Sequence, residues 1–123
     1  MVNYYFKSLD LNKKLKNTEG QINDFIALGS IYDYKVAKVY LQKAIELADS
    51  THNLRLKKRA LMYMFSYKIM NGKPKDALLF FNQHPLVGQA YINRGPKYLN
   101  WIIGETYLYG NELDSAKNYF DKC

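Results

Sequence analysis

The stretch IIGETYLYGNELDSAKNYFDKC, residues 102–123, decides how the chain is read. Its first half continues a helical pattern that begins at Pro96 and runs through Tyr109, apolar on several faces. Its second half sets Leu113, Ala116, Tyr119 and Phe120 at three- and four-residue spacings, one side of a short helix. Two helices joined by a brief turn make a hairpin. Small residues let its arms approach closely, and a large residue one turn later fills the gap beside them. The apolar side of the last helix is expected to need a neighbouring hairpin to lie against.

The same spacing recurs upstream. In VAKVYLQKAIEL, DALLFFNQHPLV and SAKNYFDKC an alanine precedes a large residue by four: Ala37 with Leu41, Ala77 with Phe81, Ala116 with Phe120. The alanines stand 40 and then 39 residues apart. Before two of them comes a glycine with tyrosine three residues on, Gly29 and Tyr32 in LGSIY, Gly104 and Tyr107 in IIGETY. One hairpin cannot cover its own apolar sides, so such units stack on their neighbours.

The remaining periodicity is helical, with no alternating strand pattern. Leu9, Leu11 and Leu15 predict a first amphipathic helix ending near Asn17. Thr18 and Glu19 read as the cap and acidic first turn of a second, carrying Ile22, Phe25, Ile26, Leu28 and Ile31. The third is expected from about Val36 to Ala48, burying Val36, Val39, Tyr40, Ala44 and Leu47. The fourth starts near Asn53 and stops at Asn71-Gly72, and Pro74 opens the fifth, which ends before Pro85. PLVGQAYINRG is a connection too apolar for a free loop, with a short extra helical turn expected; Pro96 opens the sixth helix.

This pattern resembles the tetratricopeptide repeat in a long form. The family's small, Tyr, Ala, large and small positions fall on Gly104, Tyr107, Ala116, Phe120 and Cys123 in the last unit. In the middle unit they fall on Phe65, Lys68, Ala77, Phe81 and His84, which departs at the first two and the last. In the first they fall on Gly29, Tyr32, Ala37, Leu41 and Ala44. Tyr32 to Ala37 spans 5 residues against 9 from Tyr107 to Ala116, so the first unit has a tighter turn or an earlier helix end. YYFKSLDLNKKLKN resembles the second helix of a preceding unit, with Tyr5 large and Ser8 small.

The resemblance implies an all-α, right-handed superhelical stack of antiparallel hairpins with about seven helices. It would be one domain over 1–123, with a half repeat at 1–17 and hairpins at 18–50, 53–84 and 96–123, a segment of a longer solenoid. Long repeats of this kind occur in bacterial regulators and sensor kinases as partner-binding or regulatory modules. The first helix of each hairpin would line a concave face offering Asn23, Ile26 and Ser30, then Arg59, Met62, Ser66 and Met70, then Tyr98, Trp101, Glu105 and Tyr109. Aromatic and Met side chains supply contact area, and Arg59 can grip a carboxylate in bidentate fashion. The Asn-and-Lys clamp that holds a terminal carboxylate in chaperone-binding members is not recognisable.

Composition bounds the function. With 123 residues, 48% hydrophobic, the chain is long enough for one folded domain. No uncharged apolar run approaches the roughly 20 residues that cross a bilayer, and MVNYYFKSLD gains charge at Lys7 before a leader's apolar core could form. One cysteine excludes an intrachain disulfide and fits a reducing compartment, so a cytoplasmic setting is expected. The net charge of +7 permits an acidic partner, nucleic acid included, but the lysines are scattered and the densest cluster is only RLKKR, Arg55 to Arg59. His52, His84 and Cys123 have no neighbours at metal-ligand spacing, and no phosphate loop or nucleophile elbow is present. The expectation is a non-catalytic protein- or peptide-binding module with no cofactor and no membrane partner. Two alternatives stand beside it: an RNA binder stacking Tyr and Trp on bases, and a spacer that self-associates through uncovered terminal helices.

Overall fold

A computed structural model describes residues 2–123. Among them there is no strand. Eight helices follow one another: α1 (Val2–Lys14), α2 (Thr18–Ile31), α3 (Tyr34–Ser50), α4 (Leu54–Met70), α5 (Pro74–Gln83), α6 (Pro85–Ile92), α7 (Pro96–Tyr109) and α8 (Leu113–Phe120). None is long and apolar enough to cross a membrane. The eighth, beyond the seven expected, is α6. Its Val87 and Tyr91 are buried, which a solvated loop could not provide.

Local chemistry explains the punctuation. Pro74, Pro85 and Pro96 each open a helix, where a missing N–H costs nothing. Four of the turns have one design: three residues with the middle one left-handed. Lys16 (φ 54°), His52 (φ 56°), Gly72 (φ 77°) and Asn111 (φ 60°) hold that place. In three of them the next residue donates its N–H back to the helix just ended: Asn17 to Asn12 O (2.8 Å), Asn53 to Ala48 O (2.8 Å), Glu112 to Tyr107 O (2.9 Å). Asn17, rather than Thr18, then caps α2, its Oδ1 accepting from the Gly20 N–H at 3.0 Å. Asn53 Oδ1 does the same for Leu56 N–H at 3.2 Å.

The chain divides into two compact units, Met1–Met64 and Phe65–Cys123, the boundary falling inside α4. In the first, α2 and α3 are joined by only Tyr32 and Asp33, so their contact is antiparallel. A Cβ on Gly29 would stand 2.6 Å from Leu41 Cγ, so only glycine admits the fully buried Leu41. The Tyr32 ring stacks on Tyr40 at 5.8 Å. α1 lies along α2 through a polar pin: Asp24 is buried and accepts from Ser8 Oγ (3.0 Å) and Asn12 Nδ2 (2.7 Å). Leu11 and Leu15 are exposed, leaving Leu9 as the leucine that α1 buries. On α3 the buried residues are Ala37, Leu41, Ala44, Ile45 and Ala48. Val36 and Val39 of the expected stripe face outward, Val39 at 48% exposure.

In the second unit α7 and α8 repeat the first hairpin. A Cβ on Gly104 would meet the Phe120 ring at 2.7 Å, and Tyr107 stacks on Tyr119 at 5.7 Å. The C-terminal part of α4 and α5 form a variant: Phe65 stands in the glycine's place with its ring 5.5 Å from Phe81, and Lys68 holds its ammonium 5.3 Å over Phe80. Ala37, Ala77 and Ala116 are all buried. The turns after α4 and α7 touch: a Cβ on Gly72 would lie 3.0 Å from Tyr109 O, and one on Gly110 would clash with Pro74.

Candidate functional site

In the first unit the exposed row begins with two rungs between α2 and α4. Arg55 Nη2 pairs with Glu19 Oε1 at 2.9 Å, and Arg59 Nη1 donates to Asn23 Oδ1 at 3.3 Å. Both rungs join residues 36 apart and lie one helical turn from each other, so these helices run parallel and in step. The offset equals that from Gly29 to Phe65 in the aligned repeats. Both members of the Arg55 pair are exposed, and such a pair contributes little to stability. Arg59 is exposed and Met62 half-buried. Ile26 does not belong to this face. It is 1% exposed, because it shares the core-facing stripe of α2 with Ile22, Phe25 and Gly29. Ser30 is exposed, its hydroxyl bonded to Ala27 O at 2.7 Å. The basic cluster is partly engaged, since Lys57 pairs with Asp49 at 2.7 Å.

On the far side of α2 an open hollow of about 360 Å³ lies among Lys13, Gln21, Phe25, Lys43 and Glu46. Each lysine ammonium stands 5.9 Å from the Phe25 ring centre.

The second unit holds a row of rings that runs from core to surface. Phe65 touches Tyr91 at 5.8 Å, Tyr91 stacks on Tyr98 at 5.4 Å, and Tyr98 reaches Trp101 at 5.5 Å. Phe65 and Tyr91 are buried; Trp101, at the open end, is 41% exposed. Arg94 steadies the row, its Nη1 donating to Tyr98 Oη at 2.8 Å and its guanidinium carbon 4.9 Å from that ring centre. Burial pushes the Tyr91 phenol up to about 12, with Tyr98 and Glu105 adding to the rise and Arg94 opposing it. Glu105 is half-buried, and loss of water raises its carboxyl above the ordinary value. Tyr98, Trp101, Glu105 and Tyr109 are spaced three, four and four along α7, one stripe of its surface. Tyr109 and Met70 are exposed, as is Ser66.

Sequence reasoning placed Trp101 and its stripe but missed Tyr91 and Arg94. They lie before the break at Gly95, where helical spacing cannot be carried across. Tyr91, Arg94 and Tyr98 follow one another by three and then four residues, and that was the available signal. His52 is exposed in its turn, while His84 sits 4.3 Å from the Phe80 ring between α5 and α6. Among the described residues no three His, Cys, Asp or Glu side chains gather as a metal site needs. Comparison with protein-family models, with curated proteins and with solved structures returned no match.

Proposed function

We propose that this chain is a non-catalytic helical-repeat module of the tetratricopeptide type that binds a protein segment. The observation that carries the proposal is the recurrence of one contact set. The glycine-to-large fit appears at Gly29–Leu41 and Gly104–Phe120, and the ring pair one residue before it at Tyr32–Tyr40 and Tyr107–Tyr119. Phe65–Phe81 and Lys68–Phe80 are variants at the aligned positions. Repeats of this kind leave the first helix of each hairpin with residues that face outward; Arg59, Met70, Trp101 and Tyr109 are exposed, with Met62 and Tyr98 half-buried beside them. Trp101 is the principal anchor, since a fixed, exposed indole is the usual centre of a peptide contact. A larger bacterial signalling or transcription regulator is the setting in which the module would work.

The test selects peptides from a displayed library on the wild-type chain and then measures their affinity for variants. Trp101→Ala should weaken binding about tenfold or more, and Arg59→Ala by less, with helical circular dichroism unchanged. Affinity that ignores both substitutions removes the reading. The net charge of +7 and twelve tyrosines favour single-stranded RNA as a rival ligand. That rival requires retention of an oligonucleotide at low salt and its steep loss as salt rises.

A further inference from the structure

Nine of the chain's eleven acids are exposed. The other two are Asp24, satisfied by Ser8 and Asn12, and Glu105. Glu105 is half-buried, yet no hydrogen bond or ion pair to it is found among the described residues. This happens in a protein with 18 basic side chains. Its oxygens still reach water, so the cost to folding is small, but no protein donor occupies them. One turn before it on the same stripe stands Trp101, its indole 41% exposed and backed by Tyr98 at 5.5 Å. The neighbouring ring already carries a guanidinium, that of Arg94 on Tyr98. An electron-rich indole face beside an unpaired carboxylate is what a cation needs: one attracts it through the ring quadrupole, the other through a charged hydrogen bond.

We infer that Trp101 and Glu105 form a receptor for an arginine or lysine side chain of the partner segment, so that the module prefers basic peptides despite its own positive charge. The inference rests on the protein-binding reading above and adds the charge of the ligand to it. The alkyl stem of the incoming residue lies on the indole and its cationic head reaches Glu105. Water lost from the carboxylate on folding is then replaced by a donor. A net charge of +7 repels such a peptide at long range, but salt screens that repulsion beyond about 10 Å and leaves the short-range pair. Arg94 is engaged by the Tyr98 hydroxyl and ring.

Trp101 is the chain's single tryptophan, so its indole N–H resonance reports the site without labelling ambiguity. The probe is a blocked tri-arginine peptide, compared with a blocked tri-citrulline peptide of the same shape and no charge. The expected result is a saturable shift of the indole signal by the arginine peptide, with citrulline at least about fivefold weaker. Glu105→Gln should lower the arginine affinity by about the same factor while leaving the melting temperature unreduced, which a structural carboxylate would not do. Four results overturn the inference: no shift with the arginine peptide, equal binding of citrulline, wild-type affinity in Glu105→Gln, or a larger shift with tri-glutamate or oligouridylate. If library-selected peptides still depend on Trp101 in any of these cases, only the charge preference falls. If they are indifferent to Trp101→Ala, the module reading fails as well.

Discussion

The hairpins α2–α3 and α7–α8 solve the same packing problem with different turns. Each sets a glycine under a large residue and stacks a tyrosine on the ring before it. Yet α7 runs five residues past its glycine to Tyr109, and α2 only two past Gly29, to Ile31. The turn then takes three residues after α7 and two after α2, Tyr32 and Asp33, both extended. Three residues are thus lost from the helix and one from the turn, which accounts for the shorter spacing seen in the sequence. Tyr32 meets Tyr40 from outside its helix, whereas Tyr107 meets Tyr119 from within. What is kept is the contact and not the backbone around it, so the side-chain fit is the conserved quantity between these repeats.

The comparison breaks first at the large residue. Leu41 is fully buried and Phe120 only half-buried. Leu41→Ala should therefore cost about 3 kcal/mol in urea unfolding, and Phe120→Ala distinctly less than the 3–5 kcal/mol typical of a fully buried ring. Equal losses would mean that the two hairpins are closed equally tightly. The glycines come next. Gly29→Ala forces Leu41 to move where it has no room, costing about 2 kcal/mol even after the better helix propensity of alanine is counted. At Gly104 the Phe120 ring can swing toward solvent, so the same change should cost about 1 kcal/mol or less.

Alkaline pH sharpens the contrast differently. The Tyr91 phenol is held near 12 in the fold and ionises near 10 when unfolded, so its stabilising share is present below 10 and lost as pH rises toward 12. Tyr91→Phe should flatten the fall in stability across that window, and absorbance of tyrosinate in the two proteins checks it. The smallest effect concerns the left-handed turn residues. His52→Gly should raise stability by about 0.5–1 kcal/mol, and Asn111→Gly by less, because asparagine already tolerates that conformation.

Much of this was legible. The prolines and the Asn71-Gly72 stop placed several helix ends, and the aligned alanines identified buried positions on α3, α5 and α8. Periodicity alone misjudged α3. Its valines and its alanines both recur at helical spacing, and weighing residues by hydrophobicity chose Val36 and Val39. The arm opposite is a glycine, so close approach was the stronger demand, and small Ala37 and Ala48 turned inward beside the expected Ala44. Ile26 was assigned to the surface from its repeat position, while its spacing from Ile22 and Gly29 put it in the core. The Asp24 pin was invisible, since nothing in sequence couples Ser8 and Asn12 to an acid one helix away. Trp101 was legible as a stripe member; that Glu105 beside it lacks a donor needed coordinates.

A chain that builds one knob-and-notch twice also risks fitting a knob into the wrong notch while it folds. The two-residue joint at Tyr32-Asp33 guards against this. Loop closure grows costlier with length, so Leu41 meets Gly29 at a lower entropic cost than a segment from a distant part of the chain would. The short link thus weights each notch toward its own knob rather than toward the copy at the other end of the chain.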